Sequence, residues 1–185
     1  MTTNTHIEIE IKIRVSDLHI LKQKILGSGF TVISPYCFEY NVVLDTQDQK
    51  LKNHRLLLRL RKIEGRNILT FKRPTAKESD STDYKVREEI EVDVADFDTA
   101  LTIFKGLGYE VFFIYEKYRE IYDNGSVKIM LDHTPIGDFM EIEGTAEEID
   151  KTAISLGYSK ADYLTENYLA LFRQTHETGF MQFHD

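Results

Sequence analysis

The sequence predicts an α+β protein: a closed β-barrel of about eight antiparallel strands, forming a tunnel with a charged interior, with helices packed outside. Three observations predict it. First, His6–Val15 (HIEIEIKIRV) alternates strictly, with Ile7, Ile9, Ile11, Ile13 and Val15 on one side and Glu8, Glu10, Lys12 and Arg14 on the other. Second, several later strands carry the same mixed-charge face. Third, the segments between them show helical periodicity with a single apolar stripe, suited to covering the apolar side of a sheet. A sheet of this kind closed into a barrel turns its charges inward, and about eight strands leave room for side chains or one small ligand.

Composition sets the limits. The 185 residues fit one domain, 1–174, followed by a tail, 175–185, expected to fray. No apolar run is long enough to span a bilayer, and no basic-then-apolar leader opens the chain, so a cytoplasmic protein without a membrane partner is expected. The net charge of −8 argues against nucleic acid. Cys37 is the single cysteine, which excludes an internal disulfide and a cysteine-based zinc site. The six histidines are scattered at spacings that suggest no ligand cluster.

In chain order, Ser16 or Asp17 caps a helix running to about Gly27–Gly29, with Leu18, Leu21 and Ile25 as its stripe. Phe30–Asp45 reads as a long strand or bent pair broken at Pro35, and Thr46–His54 as a polar loop. Arg55–Lys62 is a strand with Arg55, Leu57, Arg59 and Arg61 on one face, and Ile68–Arg73 is its hairpin partner. Pro74–Asp83 is a polar loop, the best candidate for a mobile flap. Tyr84–Val94 is a strand bearing Arg87, Glu89, Glu91 and Asp93. Asp96 caps a helix with a stripe of Phe97, Ala100, Leu101, Phe104 and Leu107. Glu110–Asp123 is a strand with Lys117 and Arg119 on one face. Asn124-Gly125 marks a hairpin, Val127–Asp132 follows, and Phe139–Glu143 is another strand. Helices are expected over about Ala146–Leu156 and Tyr163–Arg173.

The chain echoes itself. Val15-Ser16-Asp17-Leu18 … Gly27-Ser28-Gly29-Phe30 aligns without a gap on Val94-Ala95-Asp96-Phe97 … Gly106-Leu107-Gly108-Tyr109. Two strand–helix–strand halves related by pseudo-symmetry are expected.

The charged faces define a chemistry. Their acids are Glu8, Glu10, Glu89, Glu91, Asp132, Glu141 and Glu143, and their bases Lys12, Arg59, Arg61, Lys72, Arg87, Lys117 and Arg119. Charges facing one another in a narrow interior are costly unless paired or occupied. Converging carboxylates suit Mg²⁺ or Mn²⁺, and guanidinium forks suit phosphoryl oxygens. Together they describe a site for a metal-chelated polyphosphate.

These residues carry a resemblance. Glu8-Ile9-Glu10-Ile11-Lys12 is followed by Leu58-Arg59-Leu60-Arg61, Leu69-Thr70-Phe71-Lys72, Arg87-Glu88-Glu89-Ile90-Glu91, Lys117-Tyr118-Arg119, Leu131-Asp132 and Gly137–Glu143. In that order they resemble the CYTH superfamily, the triphosphate tunnel metalloenzymes, from about Ile7 to Phe172. The resemblance implies an eight-stranded antiparallel tunnel. It implies divalent metal on Glu8, Glu10, Asp132, Glu141 and Glu143, and triphosphate on Lys12, Arg59, Arg61, Lys72 and Arg119. Glu8, Glu10, Lys12, Arg59, Arg61, Lys72 and Arg119 form the expected catalytic set. Arg87 and Lys117 join the substrate-binding set, and Glu89 and Glu91 line the tunnel. Lys160 is a further phosphate candidate, although Asp162 stands where the family usually has serine. Glu39 and Asn41, in the stretch Glu39–Thr46, resemble the triphosphatase-like and uncharacterised bacterial branches.

The expected partner is therefore a small-molecule triphosphate, with the chain a monomer or homodimer. Three functions compete: a metal-dependent triphosphatase acting on inorganic or small organic triphosphate, an adenylyl cyclase, and a non-catalytic polyphosphate-binding module. Hydrolysis ranks first because no residue set reads a purine.

Overall fold

The structure is a computed structural model that describes residues 5–75 and 83–184. Eight long strands close on themselves. They are β1 (Thr5–Val15), β2 (Thr31–Thr46), β3 (Leu57–Ile63), β4 (Arg66–Pro74), β5 (Lys85–Asp93), β6 (Tyr109–Asp123), β7 (Lys128–Thr134) and β8 (Gly137–Glu143). The order around the ring is β5-β4-β3-β2-β6-β7-β8-β1, and a β1–β5 pairing shuts it. Every pairing is antiparallel. β1 makes the closure by dividing its length: Thr5–Glu10 pairs with β5, and Glu10–Val15 with β8.

The apolar faces point outward, under helices. α1 (Leu18–Gly27) and α4 (Ala146–Leu156) bury Leu21, Ile25, Ile149, Ala153 and Leu156 against Ile11, Ile13, Ile129, Leu131, Met140 and Ile142. α3 (Phe97–Gly106) packs Phe97 on Val42, Leu44, Leu58 and Leu60. These helices begin where the sequence predicts. Asp17 Oδ1 accepts from the Ile20 N–H at 2.9 Å, and Asp96 Oδ1 from that of Thr99 at 2.7 Å. Each such cap contributes about 1 kcal/mol.

The internal echo has a geometric counterpart. Each half supplies four strands, and the ring order is unchanged when β1 and β5, β2 and β6, β3 and β7, and β4 and β8 are exchanged. The equivalent strands pair with each other, β1 with β5 and β2 with β6. An antiparallel ladder is itself two-fold symmetric, so the repeat closes the barrel through its own like strands.

Several segments differ from expectation. β2 runs unbroken through Pro35, because register shifts between Val32 and Cys37 absorb the proline. β3 starts at Leu57, since Arg55 is left-handed at φ 57°. The loop before it contains a short helix, α2 (Lys50–Asn53), held by Asp45, whose carboxylate accepts from the Leu51 and Lys52 N–H groups at 2.9 Å each. Most of the expected flap, residues 76–82, lies outside the described residues.

The C-terminal third departs furthest. One helix is expected over Tyr163–Arg173. Instead Tyr163–Leu164 forms a two-residue strand, β9, on β1, and only α5 (Tyr168–Arg173) is helical. Nor is α5 an outer helix. Tyr168, Leu171 and Phe172 pack on Phe113, Tyr115 and Phe139, which share the inward parity of the charged residues, so α5 plugs one end of the barrel. The tail does not fray either. Met181 is 0% exposed, and its backbone bonds Ile114 O at 3.0 Å and the Glu116 N–H at 2.8 Å. That stretch of β6 lies beyond the end of β7, and the tail satisfies backbone groups that would otherwise be unpaired.

Candidate active site

The charged faces of the strands meet inside the barrel, around a cavity of ≈ 680 Å³. Period-two alternation places them there, since outward residues are claimed by the helices. Glu8, Glu10 and Lys12 from β1 are buried side chains lining this cavity. So are Arg59 from β3, Glu89 from β5, Lys117 and Arg119 from β6 and Glu141 from β8. Arg61, Lys72, Arg87, Glu91 and Glu143 line it as well.

The basic wall is held from behind by Asp132. This carboxylate is 0% exposed and does not reach the cavity. It accepts from Arg119 Nε and Nη2, each at 2.6 Å, from Lys117 Nζ at 3.0 Å and from the Tyr168 hydroxyl at 2.5 Å. Arg119 Nη2 also reaches Glu141 at 2.5 Å, and Lys12 Nζ lies 2.7 Å from the other oxygen of Glu141. Burial opposes the charge on Glu141, but Arg119 and Lys12 hold its carboxyl well below the usual carboxylate range. Asp132 and Glu141, both expected among the metal ligands, are each ion-paired with two cations.

Across the cavity, Arg59 Nη1 donates to the Tyr115 hydroxyl at 2.9 Å and Nη2 to Thr70 Oγ1 at 3.1 Å. Thr70 in turn donates to Glu91 at 2.7 Å. Arg61 Nε donates to Asn41 Oδ1 at 3.0 Å and lies 3.5 Å from Glu39. Arg59 Nε and Asn41 Nδ2 are buried donors with no hydrogen-bond partner among the described residues. Burial works against ionisation of Tyr115, yet Arg59, Lys117 and Arg61 together hold its hydroxyl below its ordinary pKa. On this side Glu39, Glu89 and Glu91 lie beside Arg59, Arg61 and Lys117.

The acidic side is Glu8, Glu10 and Glu143. Glu10 faces Glu143 across the β1–β8 ladder. Burial and the nearby charges of Glu8 and Glu10 hold the Glu143 carboxyl above its usual value, with Lys128 opposing them. Mutual repulsion among buried carboxylates fits a divalent cation, and the all-oxygen donor set fits Mg²⁺ or Mn²⁺. As they stand, no three carboxylate or imidazole groups among the described residues converge closely enough to hold a metal ion. Two of these carboxylates are paired with lysines: Lys72 Nζ sits 2.6 Å from Glu8, and Lys85 Nζ 2.5 Å from Glu10.

One sequence expectation about a single residue changes here. Lys160 is not in the tunnel. It pairs with Asp83 at 3.3 Å and Asp150 at 3.2 Å on the outside, beside the Tyr84 ring. Asp132, expected among metal ligands, receives one donor on Oδ1 and three on Oδ2. Sequence reasoning also missed three tunnel residues. Lys85 and Tyr115 lie two residues before Arg87 and Lys117 on the same strand faces, so continuing the alternation finds them. Tyr168 has no such signal, because it arrives on α5 from another part of the chain.

A closed antiparallel barrel with helices outside and an ion-paired tunnel inside defines a class of small tunnel proteins. The CYTH domain model matches residues 6–168, and the chain belongs to the CYTH family. A protein of Methanocaldococcus jannaschii, provisionally named an adenylate cyclase, is 28% identical over 89% of this chain and 98% of its own. A solved structure from Pyrococcus horikoshii superposes with a TM-score of 0.75 at 29% identity, covering 89% of this chain and 98% of that one. A Hippeastrum protein named for adenylyl cyclase, but described as having a dominant triphosphatase activity, shares the fold with a TM-score of 0.60. That match is at 18% identity over 90% of this chain and 95% of the other. Among the described residues, no helix is long and apolar enough to cross a membrane.

Proposed function

We propose that this protein hydrolyses a small triphosphate, inorganic or organic, in its tunnel with the help of a divalent metal. The observation that carries the reading is one buried cavity lined by carboxylates together with guanidinium and ammonium groups. A metal–triphosphate complex is the ligand that such a lining complements.

In this reading Arg59, Arg61, Lys12, Lys117 and Arg119 bind phosphoryl oxygens, with the unpartnered donors Arg59 Nε and Asn41 Nδ2 available to help. Asp132 and Glu141 keep Arg119 in a fixed orientation, so its charge is in place as negative charge develops on the leaving group. Glu8, Glu10 and Glu143 would hold Mg²⁺ or Mn²⁺, which supplies charge neutralisation and makes water more acidic. α5 and the aromatic residues at its end of the barrel exclude bulk water, which strengthens these interactions.

Cyclisation of ATP is the second reading, supported by the naming of the Methanocaldococcus relative. Incubating the protein with Mg²⁺ or Mn²⁺ and, separately, inorganic triphosphate, ATP and thiamine triphosphate decides between them. Orthophosphate without cyclic AMP is the expected product. Cyclic AMP with pyrophosphate would replace hydrolysis by cyclisation, and no turnover of any substrate would leave a binding module.

A further inference from the structure

Two lysines stand where a cation on the acidic wall would have to stand. Lys72 Nζ is 2.6 Å from Glu8 Oε2 and 3.1 Å from Glu89 Oε1, and Lys85 Nζ is 2.5 Å from Glu10 Oε1. The contacts are built into the ladders. Lys85 is the cross-strand partner of Glu10 on β1–β5, and Lys72 that of Glu89 on β4–β5. Both lysines line the same cavity as the basic wall.

An ammonium this close to a carboxylate repels a divalent ion brought to the same group, so lysine and metal compete for Glu8 and for Glu10. Conversely, phosphate alone cannot draw either lysine away without leaving a buried carboxylate uncompensated, and that is strongly unfavourable. Each ligand therefore removes the obstacle to the other. Metal on Glu8 and Glu10 frees the lysines, and phosphate gives the freed lysines a new counter-charge. A lysine is suited to this: its head is a point charge with three donors on a flexible four-carbon stem.

We propose that Lys72 and Lys85 are exchange residues, neutralising Glu8 and Glu10 until metal takes those carboxylates and then turning to the phosphate chain. The inference rests on the proposed function and adds Lys72 and Lys85 to its binding residues. Its consequence is positive coupling between metal and phosphate, set by the protein and not only by their complex in solution.

The test is calorimetric and needs no turnover. Mn²⁺ alone is titrated into wild type, Lys85→Met and Lys117→Met, and tripolyphosphate is then titrated at saturating Mn²⁺. Lys117 pairs with Asp132 and Glu39, not with Glu8 or Glu10, so its variant controls for loss of one tunnel charge. Lys85→Met should bind Mn²⁺ alone about tenfold more tightly than wild type, yet bind tripolyphosphate with Mn²⁺ about tenfold more weakly. Lys117→Met should lose phosphate affinity while its affinity for Mn²⁺ alone changes by less than about threefold. Lys72→Met, checked by melting like the others, should repeat the opposed shifts. Unchanged or weakened Mn²⁺ binding in Lys85→Met and Lys72→Met overturns the exchange, and leaves the proposed function standing if wild type still binds and hydrolyses triphosphate. Wild type that binds neither ligand overturns both.

Discussion

Replacing Asp132 by asparagine removes one charge and sets an amide N–H₂ among groups that are all donors. The native carboxylate accepts two bonds from Arg119, one from Lys117 and one from Tyr168, all within 3.0 Å. Three of these fall on Oδ2 and one on Oδ1, so an amide oxygen at Oδ2 leaves the amide nitrogen facing the Arg119 Nε–H. Breaking one partner out of a buried ionic cluster costs about 3–5 kcal/mol. Two contacts soften the loss, since Arg119 keeps Glu141 at 2.5 Å and Lys117 keeps Glu39 at 3.6 Å. The lower end of the range therefore applies, and at about 2–4 °C per kcal/mol the melting temperature should fall by roughly 6–12 °C. Thermal unfolding followed by circular dichroism measures it. Titration with Mn²⁺ separates a cation clamp from a metal ligand. A clamp leaves metal affinity within about threefold, whereas loss of a ligand weakens it by about tenfold or more. An unchanged melting temperature together with a large loss of metal affinity would refute the clamp.

Other perturbations probe neighbouring parts of the tunnel. Burial works to raise the Glu10 pKa, but Lys85, Lys72 and Lys12 bring it from 4.5 down to about 2. A depressed carboxyl stabilises the fold above its unfolded pKa, so about 3 kcal/mol is lost as pH falls from about 4.5 through about 2. Urea unfolding at pH 5 and pH 3 should show a steeper loss for wild type than for Glu10→Gln, and parallel losses would count against the pairing. Arg59→Ala should lower triphosphate turnover by about 100-fold or more, with Arg59→Lys restoring little because one ammonium cannot reproduce a fork. Wild-type rates in either variant would remove Arg59 from the site. Ending the chain at Thr178 deletes Met181, which is 0% exposed, together with its two backbone bonds to β6. About 3–5 kcal/mol of burial and hydrogen bonding is at stake, and a melting curve unchanged by the truncation would mean the tail is dispensable.

Much of the barrel was legible because strand faces are written with a period of two. Glu8, Glu10 and Lys12 follow the inward face of β1, and Arg59 and Arg61 that of β3, without reference to any other part of the chain. Two of the outer helices were equally local, announced by the capping Asp17 and Asp96 and an apolar stripe. What failed was non-local. Tyr163–Leu164 became a strand because β1 presents a free edge beyond β5. α5 turned into the barrel because Phe113, Tyr115 and Phe139 leave an apolar end there to be filled.

By itself, then, the sequence determined which side chains face inward, where the outer helices start and that acids and bases share one interior. Only the tertiary structure decided which acid meets which base. Register across eight ladders puts Lys85 on Glu10, Lys72 on Glu8 and Arg119 on Asp132. The physical reason is that alternation is a property of one strand, whereas an ion pair is set by the stagger between strands and by barrel closure. No period within a single segment encodes that stagger.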